Sequence, residues 1–277
     1  LLPITRLVAK EFLPLGRLPV IVRVVRELRD AGITRIIFVV SPPKLSLAES
    51  LSLWQSAGAA TDDSMAPEDS CFPGMKFQFV VQEQQLGLGH AIWCARNEID
   101  PGFFVVALGD CVIGSPYQIG SDLIGRMIST LQDRKADVVV GFEEVPFAAV
   151  SRFGIAKLRT EGEIFEIGDL VEKPSPDQAP SNLAICGRYL FQSDIFGELG
   201  KQQRGFGNEI QLTDAIAQLI RNGCQAYGVR LAENETRFDV GDPGSYAQAF
   251  VEFAMADPEL RAGVEQALSS RRADLER

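Results

Sequence analysis

Two aspartates far apart in the chain end apolar runs beside a glycine: Asp110 in Gly109-Asp110, and Asp239 in Phe238-Asp239-Val240-Gly241. Carboxylates from distant segments, both at strand ends, are what a Mg²⁺ site needs. That ion takes one or two protein carboxylates and leaves its other positions to water and phosphate oxygens. Either aspartate alone is as readily a turn residue or a helix cap. Glu172-Lys173-Pro174 closes another strand. Its lysine could stand beside a phosphate as a point charge while its glutamate accepts from sugar hydroxyls. An exposed ion pair at a hairpin end is the plain alternative. Gly154 would let backbone groups reach a sugar, or is a simple turn glycine. Lys10, in Ala9-Lys10-Glu11-Phe12-Leu13-Pro14, meets a polyphosphate or is merely solvated.

The loop from Gln82 to Ala91 runs Gln-Glu-Gln-Gln-Leu-Gly-Leu-Gly-His-Ala. It joins a strand to a helix, where an open α/β sheet forms its ligand crevice. Gly87 and Gly89 let the backbone approach a flat ligand, and the Gln82 amide holds both a donor and an acceptor, as a uracil or thymine edge requires. A Gly-x-Gly before a helix more often serves packing.

The elements that must position these residues alternate. A helix is expected from Pro19 to about Ala31, stopped by Gly32, then a strand over Arg35 to Val40 and a helix over 44–56. Residues 57–74 are small, polar and acidic and read as a mobile surface insertion. Strand 76–82, helix 90–97, strand 103–108, helix 120–133 and strand 137–142 follow. This β-α-β order implies right-handed crossovers in a mostly parallel sheet, with 103–108 covered on both faces. After residue 150 come short strands at 154–158, 163–167 and 169–172, a longer one at 183–191, and a helix at 212–221. Strands at 225–229 and 237–240 and helices at 246–254 and 258–268 complete the chain. Asn208 to Asp214 reads mainly as helix capping.

The 277 residues, 46% hydrophobic, suffice for a substantial core. No apolar run approaches the ~20 residues of a membrane span. A net charge of −10 and a pI near 4.8 argue against nonspecific nucleic-acid binding. Five scattered cysteines without a Cys-x-x-Cys pair fit reduced thiols in a cytoplasmic protein. His90 is the single histidine, so a histidine-based triad or multi-histidine metal site is a poor fit.

Several blocks in order resemble the bacterial UTP–glucose-1-phosphate uridylyltransferases over nearly the whole chain. They are Leu2-Pro3-x-Thr5-Arg6 with Lys10-Glu11-Phe12-Leu13-Pro14, Gly87-Leu88-Gly89-His90-Ala91, Gly109-Asp110 and Phe153-Gly154-Ile155. Val171-Glu172-Lys173-Pro174, Ser181-Asn182-Leu183-Ala184-Ile185 and Asn208-Glu209-Ile210-Gln211-Leu212-Thr213-Asp214-Ala215 continue the series. Gly-Leu-Gly-His-Ala and Glu-Ile-Gln-Leu-Thr-Asp-Ala are specific; the rest occur across sugar-nucleotide pyrophosphorylases.

The resemblance implies a single nucleotidyltransferase domain over 1–277: a nucleotide-binding half (1–150), a β-rich sugar-phosphate half (151–241) and carboxy-terminal helices (242–277). The fold implied is α/β, Rossmann-like and mixed, with a mostly parallel sheet flanked by helices. The activity implied is Mg²⁺-dependent reaction of UTP with α-D-glucose 1-phosphate, giving UDP-glucose and pyrophosphate. Gln82 and Gly87 would face uracil, Asp110 and Asp239 would hold Mg²⁺, and Lys10 would stabilise the UTP phosphates. Lys173 would meet the sugar phosphate, and Glu172 with the Gly154 backbone the glucose hydroxyls. No nucleic acid or membrane partner is implied; a cytoplasmic homo-oligomer, dimer or tetramer, is, with residues 246–268 as candidate contacts.

Some positions depart from the pattern. Leu1 falls where a glycine-rich loop should be ending, so a preceding strand and loop are expected, and 1–277 alone is expected to be unstable and inactive. Arg6 replaces a usual lysine, Arg17-Leu18-Pro19 an Asp-Lys-Pro, and Gly109 a proline. Gly109-Asp110 is closer to the thymidylyltransferase pattern, so dTTP or another sugar phosphate stays open. So does an inactive sugar-nucleotide-binding regulator, although the retention of Asp110, Lys173 and Asp239 argues against it. A dehydrogenase fits poorly, because no Gly-x-Gly-x-x-Gly follows a first strand.

Overall fold

The computed structural model describes residues 1–57, 72, 74–117, 121–201 and 204–275. The chain begins with single 3₁₀ turns at Ile4–Arg6 and Lys10–Phe12, then β1 (Pro14–Leu15), β2 (Leu18–Pro19) and α1 (Val20–Asp30). Helix α1 buries Ile21, Val24, Val25 and Leu28 at helical spacing, and Gly32, at φ +84°, ends it. β3 (Arg35–Val40), α2 (Leu45–Ala57), β4 (Lys76–Val81), α3 (Leu88–Cys94), β5 (Phe103–Ala107) and β6 (Cys111–Gly114) follow. Next come α4 (Leu123–Arg134), β7 (Val138–Glu144), β8 (Gly154–Leu158), β9 (Ile164–Glu172) and β10 (Leu183–Gln192). The last elements are α5 (Ile195–Leu199), α6 (Leu212–Arg221), β11 (Ala226–Arg230), β12 (Thr236–Asp239), α7 (Pro243–Ala256) and α8 (Pro258–Leu275).

These elements gather into two compact units, each discontinuous in sequence. The first comprises Leu1–Leu28, Ala107–Asp122 and Ala232–Arg277. In it β1 pairs with β2, and β6 pairs antiparallel with β12. Asp242 and Ser245 form a reciprocal capping box that starts α7, with Pro243 inside the first turn. Helix α7 packs on β1 and β12, where the Phe238 and Phe253 rings meet edge-on at 5.0 Å. The Arg23 guanidinium lies 4.0 Å from the Phe253 ring centre and donates to the Leu15 carbonyl at 2.6 Å. Burial, and then the Arg26 charge, push Arg23 down to about 10.

The second unit comprises Arg29–Val106 and Leu123–Leu231. Its main sheet runs β5-β10-β7-β11-β9-β8, and β10 also touches β8 through Ala184 and Ile155. A separate parallel pair, β3–β4, carries Phe38 stacked on Phe79 at 5.2 Å. Val140 and Phe142 of β7, Phe165 and Ile167 of β9 and Phe191 of β10 form one core with Leu212, Ile216 and Leu219 of α6. Helix α4 covers β7, β10 and β11, while α6 lies on β9.

The sheet is mixed, as expected, but not mostly parallel: β3–β4 and β7–β11 are parallel, while β7–β10, β9–β11 and β8–β9 are antiparallel. Short returns such as Glu161-Gly162 can join only antiparallel neighbours. The expected strands at 163–167 and 169–172 are one strand, β9, in which Gly168 is skipped by a register shift of the β8 ladder. Strand β5 was expected to be covered on both faces. It lies at the end of the sheet order, and Phe103 is exposed. Most of the insertion read at 57–74 lies outside the described residues.

Gly228 of β11 is a packing requirement. A Cβ there would lie 2.2 Å from Phe165 Cζ. Gly228→Ala is expected to cost about 3 kcal/mol of stability, and in a Phe165→Leu background much less, because the two sites are coupled. Urea midpoints of the two single variants and the double variant check this; equal costs in both backgrounds would contradict it.

Candidate active site

In the first unit the β6–β12 ladder sets Asp239 opposite Cys111, and the Val240 amide donates to the Asp110 carbonyl at 3.1 Å. Two aspartates distant in sequence therefore stand side by side on neighbouring backbones. Asp239 is held by the Gly241 amide at 2.7 Å and by Arg237 at 3.3 Å. The Lys10 ammonium donates to the Asp110 carboxylate. Burial alone would lower the Lys10 pKa. Asp110, with Glu11 and Asp239 adding to it, outweighs burial and holds the ammonium above its ordinary range. A site made of two part-exposed carboxylates, with no third acid, cysteine or histidine among the described residues, fits a hard divalent cation that keeps most of its water. It does not fit a closed zinc or calcium cage.

In the second unit, Gln82 follows β4 and folds back over its own loop. Its Nε2 lies 3.1 Å from the Gly87 carbonyl oxygen and 3.0 Å from His90 Nδ1. The two glycines are explained by the protein itself. A Cβ on Gly87 or Gly89 would lie 2.8 Å from the Ile210 carbonyl oxygen. The Gly89 amide donates to that oxygen at 2.9 Å, and the Ile210 amide donates to Leu86 at 2.7 Å. The close approach expected toward a flat ligand is thus made first to the 209–210 backbone.

The same segment reaches a third group. Register places Gly154 opposite Glu172 across β8–β9. Thr213 at the start of α6 donates its hydroxyl to Glu172 Oε2 at 2.6 Å. A Cβ on Gly154 would meet Ile185 Cδ1 and Thr213 Oγ1 at 2.9 Å and Glu172 Oε2 at 3.3 Å, so a side chain here would push those groups aside. Lys173 sits at φ +47°, uncommon for a side-chain-bearing residue. Its ammonium lies 3.4 Å from Glu172 and 5.1 Å from the Phe206 ring centre.

Asn208 to Asp214 was read as capping, but α6 has no side-chain cap at Gln211, whose amide instead donates to the Phe206 carbonyl at 2.9 Å. The segment joins the Gln82 loop to the Glu172 corner. Thr213 was missed because Thr-Asp at a helix start reads as an ordinary cap. The only available signal was that its block and Gly-Leu-Gly-His-Ala are the two specific ones, and these two are bonded to each other.

The profile of the Nucleotidyl transferase family matches residues 1–255. The chain belongs to this family. A relative named UTP–glucose-1-phosphate uridylyltransferase from Bacillus subtilis (strain 168) is 35% identical over 266 residues, covering 94% of this chain and 88% of the relative. Among solved structures, a UDP-glucose pyrophosphorylase complexed with UDP-glucose superposes with a TM-score of 0.80 at 30% identity, over 92% of this chain and 94% of that one. A UTP-bound enzyme from Acinetobacter baumannii has a TM-score of 0.81 at 29% identity, over 96% and 93%. Like these structures, the chain has the mixed α/β nucleotidyltransferase fold. Among the described residues no helix is long and apolar enough to cross a membrane.

Within this family member, Asp214 lies next to the Glu172 corner. Burial first, and then the Glu172 charge, hold its carboxyl above the ordinary 3.8, against a smaller pull from Arg221. Because the folded pKa is the higher one, ionising Asp214 opposes folding. That cost is absent below the unfolded pKa and complete above the folded one. Asp214→Asn is therefore expected to raise Tm by about 1–2 °C at neutral pH and to leave it unchanged near pH ~3, as thermal denaturation across pH would show.

Proposed function

We propose that the protein transfers a uridylyl group from UTP to α-D-glucose 1-phosphate, releasing pyrophosphate and forming UDP-glucose. Asp110 and Asp239, adjacent through the β6–β12 ladder with Lys10 against them, carry this reading. The named relatives, alike over most of their length, supply the substrates.

Asp110 and Asp239 would hold Mg²⁺, which when bound neutralises charge growing on the phosphates. Lys10 would stabilise the UTP phosphates and Lys173 the sugar phosphate as point charges. Glu172, turned by Thr213, would accept from glucose hydroxyls beside the Gly154 backbone. Gln82 and Gly87 would face uracil. The sugar-phosphate oxygen attacks the α-phosphorus of UTP in line and pyrophosphate departs. That oxygen is already ionised at neutral pH, so the chain need not supply a base. Its residues act by positioning two anions that repel each other. The protein would work in the cytoplasm as a homo-oligomer.

Pyrophosphate release by the protein should be fastest with UTP and glucose 1-phosphate when assayed against dTTP, CTP and galactose 1-phosphate. Faster turnover of dTTP would overturn the uridylyl assignment. Asp110→Ala and Asp239→Ala should each lower kcat/KM by about 10²–10³-fold with the fold intact by circular dichroism. Undiminished turnover in either would remove that residue from the metal site.

A further inference from the structure

Gln82 carries an amide that, left to rotate, could present either its oxygen or its NH₂ group. In this chain the choice is made for it. The Gly87 carbonyl can only accept, so the amide atom 3.1 Å from it must be the NH₂ nitrogen. The other hydrogen of that group points to His90 Nδ1 at 3.0 Å, which must therefore hold a lone pair. This makes His90 the neutral tautomer with its proton on Nε2. The ring is fixed in turn. It stacks near Trp93, with centroids 6.4 Å apart at 25°, and Cys94 Sγ lies 3.8 Å from both ring nitrogens. Both amide hydrogens are thus engaged inside the loop. Gln82 Oε1 takes no partner among the described residues and is the atom left to meet a ligand.

We propose that His90 is a positioning residue that locks the Gln82 amide oxygen-outward and so makes the loop a one-way reader of the base. An outward acceptor matches a pyrimidine whose ring nitrogen carries hydrogen, as uracil and thymine do at N3. It opposes cytosine, whose N3 holds a lone pair. An unanchored glutamine would flip and take either base. Flipping here would set Oε1 against the Gly87 oxygen and the His90 lone pair, so the amide stays put. The inference rests on the reading of Gln82 as the base-contacting residue. On this reading the Gln82 amide disfavours cytosine and leaves uracil and thymine to be separated elsewhere.

His90 is the only histidine in the chain, so one set of two-bond ¹H–¹⁵N signals reports its state. The expected pattern is a protonated Nε2 and an unprotonated Nδ1; a proton on Nδ1 would overturn the proposal. The functional test uses kcat/KM for UTP and CTP. His90→Phe should lower the UTP-to-CTP ratio by about tenfold, the worth of one or two hydrogen bonds, mainly through KM. His90→Asn, whose Oδ1 can take the Nδ1 position as an acceptor, should restore most of it. A His90→Phe ratio equal to the parent's sinks the proposal, whatever the absolute rates. Gln82→Leu tells the two failures apart. If it lowers the ratio and His90→Phe does not, only the role of His90 is wrong. If it leaves the ratio unchanged, Gln82 does not read the base and both ideas fall together.

Discussion

Negative charge has to be gathered where it repels. Asp110 and Asp239 are held next to each other by the backbone hydrogen bonds of β6 and β12, not by any attraction between their side chains. The ladder fixes their backbones side by side, and the Lys10 ammonium brings a positive charge that feels both carboxylates. A divalent cation would supply more. The chemistry proposed for the protein asks for the same arrangement on the ligand side, where two phosphate groups must be brought together against their own repulsion. The rigid backbone does the preorganising in advance, so little rearrangement is left for the reacting groups.

The second unit solves a different problem. The base and sugar recognition proposed for it needs side chains held in one orientation, and single polar residues on loops do not stay oriented without support. Residues 206–214 give that support in both directions. Ile210 pins Gly87 and Gly89 from one side, and Thr213 orients Glu172 from the other. The loop glycines are then places where two backbones come too close for a Cβ, and Gly154 is one where a Cβ would press on the Ile185 and Thr213 side chains. The same tight packing turns the Gln82 amide, whose two hydrogens are both engaged by loop atoms.

Strands and helices with strong local patterns could be read directly. Arg35–Val40 is β-branched and coincides with β3, and the apolar spacing of α1 and its Gly32 stop behave as expected. Local reading failed where the decisive partner was remote. Gly168 looked like a break between two strands; it is instead the residue skipped by a register shift in the β8–β9 ladder, and β9 continues because β11 pairs 164–166 and β8 pairs 167 and 169–172. Asn208 to Asp214 looked like a cap, because cap residues and buried tertiary donors are the same residue types. The direction of most sheet ladders was also out of reach, since an apolar run does not say which neighbour it will face.

Taken alone, the order of residues determined the family, the fold class and the carboxylates, lysines and loop glutamine that merit attention, because residue chemistry and local periodicity are written along the chain. Only the tertiary structure decided that Asp239 lies across from Cys111, that Ile210 fills the space left by Gly87 and Gly89, and that Thr213 grips Glu172. Those relations depend on register between strands and on close contact between distant segments. Such contacts form only when burial of the whole core outweighs the entropy of closing the long loops between them.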